Sequence, residues 1–271
     1  MEETVFIPSG SDVLCGVLYR PDRGASASGL VMCHPLLEER KSAQRVMVEA
    51  ARAFASAGIA VLRFDYRGCG DSTGNLDAFG CEDWRADIAT AVRFLTEQTA
   101  AKPLGLLGLR LGASLAMEAA AAHPVLARFL VLWEPILNGR RHLDQELRRK
   151  LVNEMVTFGQ SRTTRAGLLK DLETGLAIDV DGYSLTPRLF SDIGAIDLLK
   201  AAPRVTCKTL LARIARSGVT EQDLRRLQET LRSGGATADA IQMDEDPFWN
   251  LVGLVECPSL IAQTRQWLMT T

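Results

Sequence analysis

The chain of 271 residues contains only three histidines, His34, His123 and His142, and no apolar run near the roughly 20 residues a membrane span requires. It has no close pair of cysteines and no excess of either charge. Each absence narrows the possible functions. A formal net charge of −2 with acidic and basic residues interspersed offers no electrostatic footprint for a polyanion, so no nucleic-acid partner and no acidic membrane surface are expected. No membrane span is predicted, and the opening MEETVFIPSG lacks a basic stretch ahead of an apolar one, so no export is expected. Cys15, Cys33, Cys69, Cys81, Cys207 and Cys257 lack the spacing of metal sites or redox CxxC motifs. They are predicted to be reduced thiols of a cytoplasmic protein with no metal site and no cofactor. There is no internal repeat, and only a short linker at 23–29 interrupts the early pattern.

About half of the residues are apolar and a quarter charged, enough for one large core or a core with a small insertion. Apolar runs at 4–7 and 13–19 flank a turn-forming stretch, Pro8, Ser9, Gly10, Ser11 and Asp12, which predicts an antiparallel hairpin. Short apolar strands at 30–33, 59–65, 104–107 and 129–133 then alternate with helical patterns at 46–57, 84–95 and 111–121. That alternation predicts an α/β fold with a mainly parallel sheet covered by helices on both faces, with ligands at the carboxyl ends of the strands. From 135 to 203 the rhythm breaks, with a charged helical stretch at 140–158, a short helix near Leu168 and a turn-rich segment at 179–183. We read 135–203 as an inserted cap between two core segments, 1–134 and 204–271. The second carries a strand at 209–214, a helix at 221–232, a strand near 240–243 and a terminal helix at 258–269.

Phe64, Asp65, Tyr66, Arg67, Gly68, Cys69, Gly70, Asp71 and Ser72 resemble the FDxRGxGxS signature of α/β-hydrolases. Gly108, Leu109, Arg110, Leu111 and Gly112 stand where that superfamily carries its GxSxG nucleophile elbow, between a strand and a helix. The resemblance extends over essentially the whole chain in element order and implies an eight-stranded, mainly parallel sheet. The two elbow glycines are kept because a side chain there would clash at the strained turn. The central residue, however, is Arg110, and a guanidinium protonated at every physiological pH cannot act as a nucleophile.

Three readings of Arg110 stand side by side. It is a solvated helix-start residue, or the partner of Glu134 at the end of the neighbouring strand, or an anion ligand acting with the adjacent helix amides. A cation at a helix N-terminus costs up to about 1 kcal/mol, which favours a compensating partner. The resemblance implies an acid after the strand that follows the cap, but no carboxylate lies between Thr209 and Thr220, and the matching position is Arg216 or Ser217. It also implies a histidine after the last strand, where Asp246 stands instead, within Met243, Asp244, Glu245, Asp246, Pro247, Phe248 and Trp249. His123 is expected at a helix end and His142 in solvent. His34-Pro35 replaces the His-Gly that builds part of the oxyanion hole, leaving the Leu36 and Leu111 amides as candidate donors. The charges Glu38, Glu39, Arg40 and Lys41 are expected as a solvated run at the pocket rim. Ser114 is expected to pack or to bond back to a carbonyl, and Cys33 to face away from His34.

Residues 38–42, 68–72, 108–113 and 130–139 further resemble the second α/β-hydrolase associated with the exosortase A system, which sorts PEP-CTERM proteins alongside exopolysaccharide genes. That group also has GLRLGA at the elbow. Three functions follow. One is a non-hydrolytic binding or accessory protein whose pocket, formed by His34, Leu36, Arg110, Leu111, Glu134 and Asp246, holds an anionic or acyl-bearing small molecule. Another is a hydrolase or acyltransferase for an ester, thioester or amide with displaced catalytic groups, using Asp246 or Glu134 as base. The third is an interaction scaffold that binds a protein partner or a second copy through the cap.

Overall fold

The computed structural model describes residues 1–21, 28–214, 218–251, 253 and 255–271. The first two strands, β1 (Glu2–Ser9) and β2 (Asp12–Tyr19), pair antiparallel around Gly10, whose φ of 66° suits the tight turn. The chain continues through β3 (Ser28–Cys33), α1 (Leu37–Ser56), β4 (Ile59–Phe64), α2 (Cys81–Thr99), β5 (Leu104–Leu109), α3 (Leu111–Ala122) and β6 (Phe129–Trp133). It then leaves the sheet for α4 (Gly139–Phe158), α5 (Arg165–Glu173), the hairpin β7 (Ile178–Val180) and β8 (Tyr183–Leu185), α6 (Pro187–Gly194) and α7 (Leu198–Ala201). It returns through β9 (Lys208–Arg213), α8 (Glu221–Ser233), β10 (Ala238–Gln242) and α9 (Pro258–Leu268). The 23–29 linker falls largely outside the described residues, and its last two positions open β3.

The eight-stranded sheet has the order β1-β2-β4-β3-β5-β6-β9-β10, with β2 alone running against its neighbours. This is the predicted α/β architecture. Side chains alternate across it. Val31, Leu62, Leu106 and Leu132 pack under α2, α3 and α8, whereas Leu30, Val61, Leu107 and Val131 pack under α1 and α9. The central strands are buried on both faces, which explains their continuous apolar runs. The chain order reverses between β3 and β5, whose ends meet at Cys33 and Gly108. Such a switch point opens a crevice at the carboxyl ends of the strands, and Arg110 and His34 stand beside it. Two helices extend beyond their predicted bounds. Glu38 and Glu39 in the first turn of α1 suit the positive end of its dipole, and no glycine or proline intervenes before Gly58, so the helix runs back to Leu37. The segment between β6 and β9 packs α6 on α2 and α4, and α7 on α3 and α8. Among the described residues no helix is long and apolar enough to cross a membrane.

Candidate functional site

The chain leaves β5 at Leu109, turns through Arg110 at φ 55° and ψ −121°, and enters α3 at Leu111. A positive φ is strained for a side-chain-bearing residue; the surroundings impose it. The Arg110 amide donates to the Trp133 carbonyl at 2.9 Å. A Cβ at Gly108 would lie 2.4 Å from Ala113 Cα, and one at Gly112 would lie 2.2 Å from the Cys33 carbonyl oxygen. The two glycines therefore let α3 close against the end of β3, and the residue between them is pushed outward.

Arg110 does not pair with Glu134. Its Nε donates to Glu39 Oε1 at 3.0 Å, and its guanidinium lies over the Trp249 ring at 5.4 Å. The arginine side chain is 12% exposed and that of Glu39 7%, so this is a buried pair capped by a cation–π contact. Burial raises the Glu39 pKa, and Arg110 acts against that rise. Glu39 was expected in a solvated run. Because α1 begins at Leu37, Glu39 faces inward, Arg40 turns to Asp65 with Nη2 at 2.6 Å from Oδ1, and Lys41 remains outside.

Glu134 is fully buried at φ 45° and accepts the amides of Ile214, at 2.6 Å, and Val219. It ties the loop after β9 to the end of β6, so its carboxylate is already engaged by the backbone. The expected acid position, Arg216 or Ser217, lies outside the described residues. Asp246 also departs from its predicted place in the pocket. The turn Phe248–Asn250 buries Phe248 and Trp249 in the core, Asp246 is left exposed, and Trp249 and Asn250 line the cleft in its place.

The cleft above Arg110 has a volume of about 830 Å³, is open to solvent and is lined by α4, α7, α8 and the Trp249 turn. His142 lies in it, not in solvent. Its Nδ1 is buried without a hydrogen-bond partner among the described residues. Burial first, then Arg110 and Arg149, hold its pKa down to about 3, so the imidazole is neutral. Arg149, about two turns further along the same face of α4, pairs with Glu146 and places Nη1 2.9 Å from Asp181 Oδ2.

His34 stands apart from this cleft, in a recess of about 20 Å³ with Arg40 and Asp65. Its Nδ1–H donates to the Pro35 carbonyl at 2.6 Å, Nε2 lies 3.5 Å from Asp65 Oδ1, and the ring packs on Tyr66 at 4.6 Å. Burial lowers its pKa to about 4 against the opposing pull of Asp65. Leu36 and Leu111 border a second small cavity, about 30 Å³, together with Glu39 and His142. Neither amide has an acceptor among the described residues. Thus Arg110, Leu36 and Leu111 meet around His142, whereas His34, Glu134 and Asp246 do not join them. Ser114 is fully buried, donates to the Ile136 carbonyl at 2.8 Å and accepts the Ile136 amide at 3.1 Å, fixing the chain after β6. Cys33 is buried, and burial pushes its thiol up to about 12, which makes it inert. His142, Arg149 and Trp249 were not predicted for the site, and Glu39 was expected only as a solvated charge at its rim. The facing of His142 and Arg149 depends on how the segment after β6 folds back, that of Glu39 on the early start of α1, and that of Trp249 on the turn after β10, and no local pattern encodes these.

The family model described as serine aminopeptidase, S33 matches residues 25–229. No curated protein sequence matches the chain. Among solved structures, Est1E from Butyrivibrio proteoclasticus with ferulic acid bound is similar over 98% of both chains at 14% identity, with a TM-score of 0.72. An esterase from Pyrococcus furiosus is 15% identical over 100% of this chain and 91% of its own, with a TM-score of 0.65. The thioesterase domain from the curacin biosynthetic pathway is 17% identical over 99% of both chains, with a TM-score of 0.63. At these identities the structural likeness is one of fold. The strand order, the glycine-flanked elbow after β5 and the matched family model lead to one conclusion: the chain belongs to the serine aminopeptidase S33 family of α/β-hydrolases.

Proposed function

We propose that this family member has lost the Ser-His-Asp mechanism and serves as a non-hydrolytic binding or accessory protein, with an anionic or acyl-bearing small molecule in the cleft over Arg110. The observation that carries the reading is Arg110 itself, held at the elbow by Glu39 and Trp249. A permanently protonated guanidinium forms no acyl-enzyme, but it is well suited to recognising a carboxylate or phosphate. The resemblance at 38–42, 68–72, 108–113 and 130–139 supports an accessory role in an exosortase and exopolysaccharide system.

Hydrolysis by displaced groups has weaker support. Asp246 is exposed outside the cleft, Glu134 is engaged by two amides, and His142, with a pKa near 3, is a poor general base at neutral pH. An interaction scaffold is favoured by one observation: Val152, Met155 and Val156 present an exposed apolar stripe on α4.

The binding reading is tested by thermal melting against a panel of carboxylates, phosphate esters and acyl thioesters. A ligand at 100 times its Kd adds about 2.7 kcal/mol, which is a rise of roughly 5–10 °C for a chain of this size. Arg110→Ala is expected to abolish that rise. If the variant retained every ligand-dependent shift, Arg110 would not be the anchor and the reading would fall.

A further inference from the structure

The floor of the cleft has donors without acceptors. Of the five N–H groups of Arg110, only Nε–H has an acceptor among the described residues, the Glu39 carboxylate. The Nη1/Nη2 edge is left to the cleft that Arg110 lines. His142 borders the same space, with Nδ1 buried and unpartnered, and no hydrogen bond among the described residues reaches its other ring nitrogen. Beside these groups the walls are apolar and half-buried at Leu137, Leu199 and Val219. Polar donors at the floor and apolar walls above them describe an amphiphilic ligand.

Charge decides which anion fits. Around His142 stand Arg110 at the elbow, paired with Glu39 on α1, and Arg149 on its own helix, paired with Glu146 and with Asp181 of the β7–β8 turn; farther along the same cleft Arg141 pairs with Asp223, Lys200 pairs with Asp197, and Arg226 stands beside them. Together these are five cations and five carboxylates, which leave no excess cation for a dianion. A dianionic phosphate would leave two negative charges uncompensated in this balanced cleft, whereas a carboxylate leaves one and matches the two-nitrogen edge of the guanidinium with its own two oxygens.

We propose that the floor of the cleft is a carboxylate site, in which the free guanidinium edge of Arg110 and the imidazole of His142 take the head of an amphiphilic monocarboxylic acid. Its apolar body lies along Leu137, Leu199 and Val219. This inference rests on the binding reading above and specifies its ligand class. One consequence concerns protons. A carboxylate placed beside His142 offsets Arg110 and Arg149, which add to burial in keeping the ring neutral, so the His142 pKa rises as the ligand enters and binding takes up a proton in acid solution.

The test is titration of the full-length protein with octanoate, octyl phosphate and octanol by calorimetry, with the His142 imidazole followed by NMR. Octanoate is expected to bind, octanol to bind about tenfold more weakly or less, and octyl phosphate no more tightly than octanoate. On saturation with octanoate the His142 midpoint is expected to rise by about two pH units, equivalent to a roughly 100-fold preference of the ligand for the protonated ring. Arg110→Lys, which keeps the charge but not the two-nitrogen edge, is expected to weaken octanoate by about tenfold. At about pH 4, between the free and bound midpoints, His142→Gln is expected to remove proton uptake. Tighter binding of octyl phosphate would overturn the carboxylate assignment and leave the binding reading standing. Equal binding of octanol, no binding of any of the three, or an unmoved His142 midpoint would overturn the site. Release of p-nitrophenol from p-nitrophenyl octanoate would instead overturn the binding reading.

Discussion

Arg110→Gln is expected to lower the unfolding free energy by about 3–5 kcal/mol at neutral pH, the usual cost of removing one partner from a buried ion pair, and to regain part of that loss in acid. Glu39 is nearly inaccessible, and burial already raises its pKa while Arg110 restrains the rise. Without the arginine the folded-state pKa climbs further. A carboxylate with a raised folded pKa gives a contribution that is fully present below its unfolded value and is lost as pH rises through the folded value. Denaturation curves between pH 4.5 and pH 8 should therefore show the gap between variant and unmodified protein widening as pH increases. A constant or narrowing gap would mean that Glu39 is not left as a buried charge.

Asp87→Ala should be comparably severe, at about 3–5 kcal/mol, or a fall in Tm of roughly 10 °C at about 2–4 °C per kcal/mol. Asp87 is fully buried on α2, and its two oxygens accept the Arg67 amide at 3.0 Å and Arg67 Nε at 2.7 Å. Arg67 in turn donates to the Asp83 carbonyl at 3.0 Å, accepts Trp84 Nε1–H on its own carbonyl at 3.1 Å and lies over Phe79 at 5.2 Å. Removing the carboxylate leaves a largely buried guanidinium with only the longer contacts to Asp12, at 3.6 Å, and Asp83, at 4.0 Å, and frees the loop after β4. In that loop Ser72 bonds the Asp65 carbonyl and the Cys15 amide, and Asp65 holds Arg40. Calorimetry on the purified variant measures the loss directly; a change below about 1 kcal/mol would place the rigidity of this loop elsewhere.

The Arg67–Asp87 pair also explains why the fold was legible in the sequence. The polar residues of the FDYRGCGDS stretch bond their own loop and the elements beside it, and the strands before and after it are apolar on both faces. The same holds for the elbow, where Gly108 and Gly112 are required by contacts as close as 2.4 Å and 2.2 Å. The site was less legible because its partners are distant in the chain. Glu39 reaches Arg110 across 71 residues, and its inward facing follows only from the early start of α1. Glu134 lies at the end of the strand beside Arg110, as the strand order implies, yet its carboxylate is drawn the other way by the amides of Ile214 and Val219. Asp246 occupies the position expected for a histidine, but the burial of Phe248 and Trp249 turns the chain so that Trp249 meets Arg110. His142 depends on the packing of the segment between β6 and β9, for which a charged helical pattern gives no direction.

The measurement that bears most directly on the loss of hydrolytic chemistry is fluorophosphonate labelling combined with p-nitrophenyl ester turnover, run on the unmodified protein beside Arg110→Ser. No adduct and no turnover above the uncatalysed rate are expected from the unmodified protein, because the elbow presents a guanidinium. None is expected from Arg110→Ser either, because the neutral His142 is too weak a base and Glu134 is engaged by the loop after β9. Stoichiometric labelling or sustained turnover by the unmodified protein would contradict this and place a working nucleophile elsewhere in the cleft.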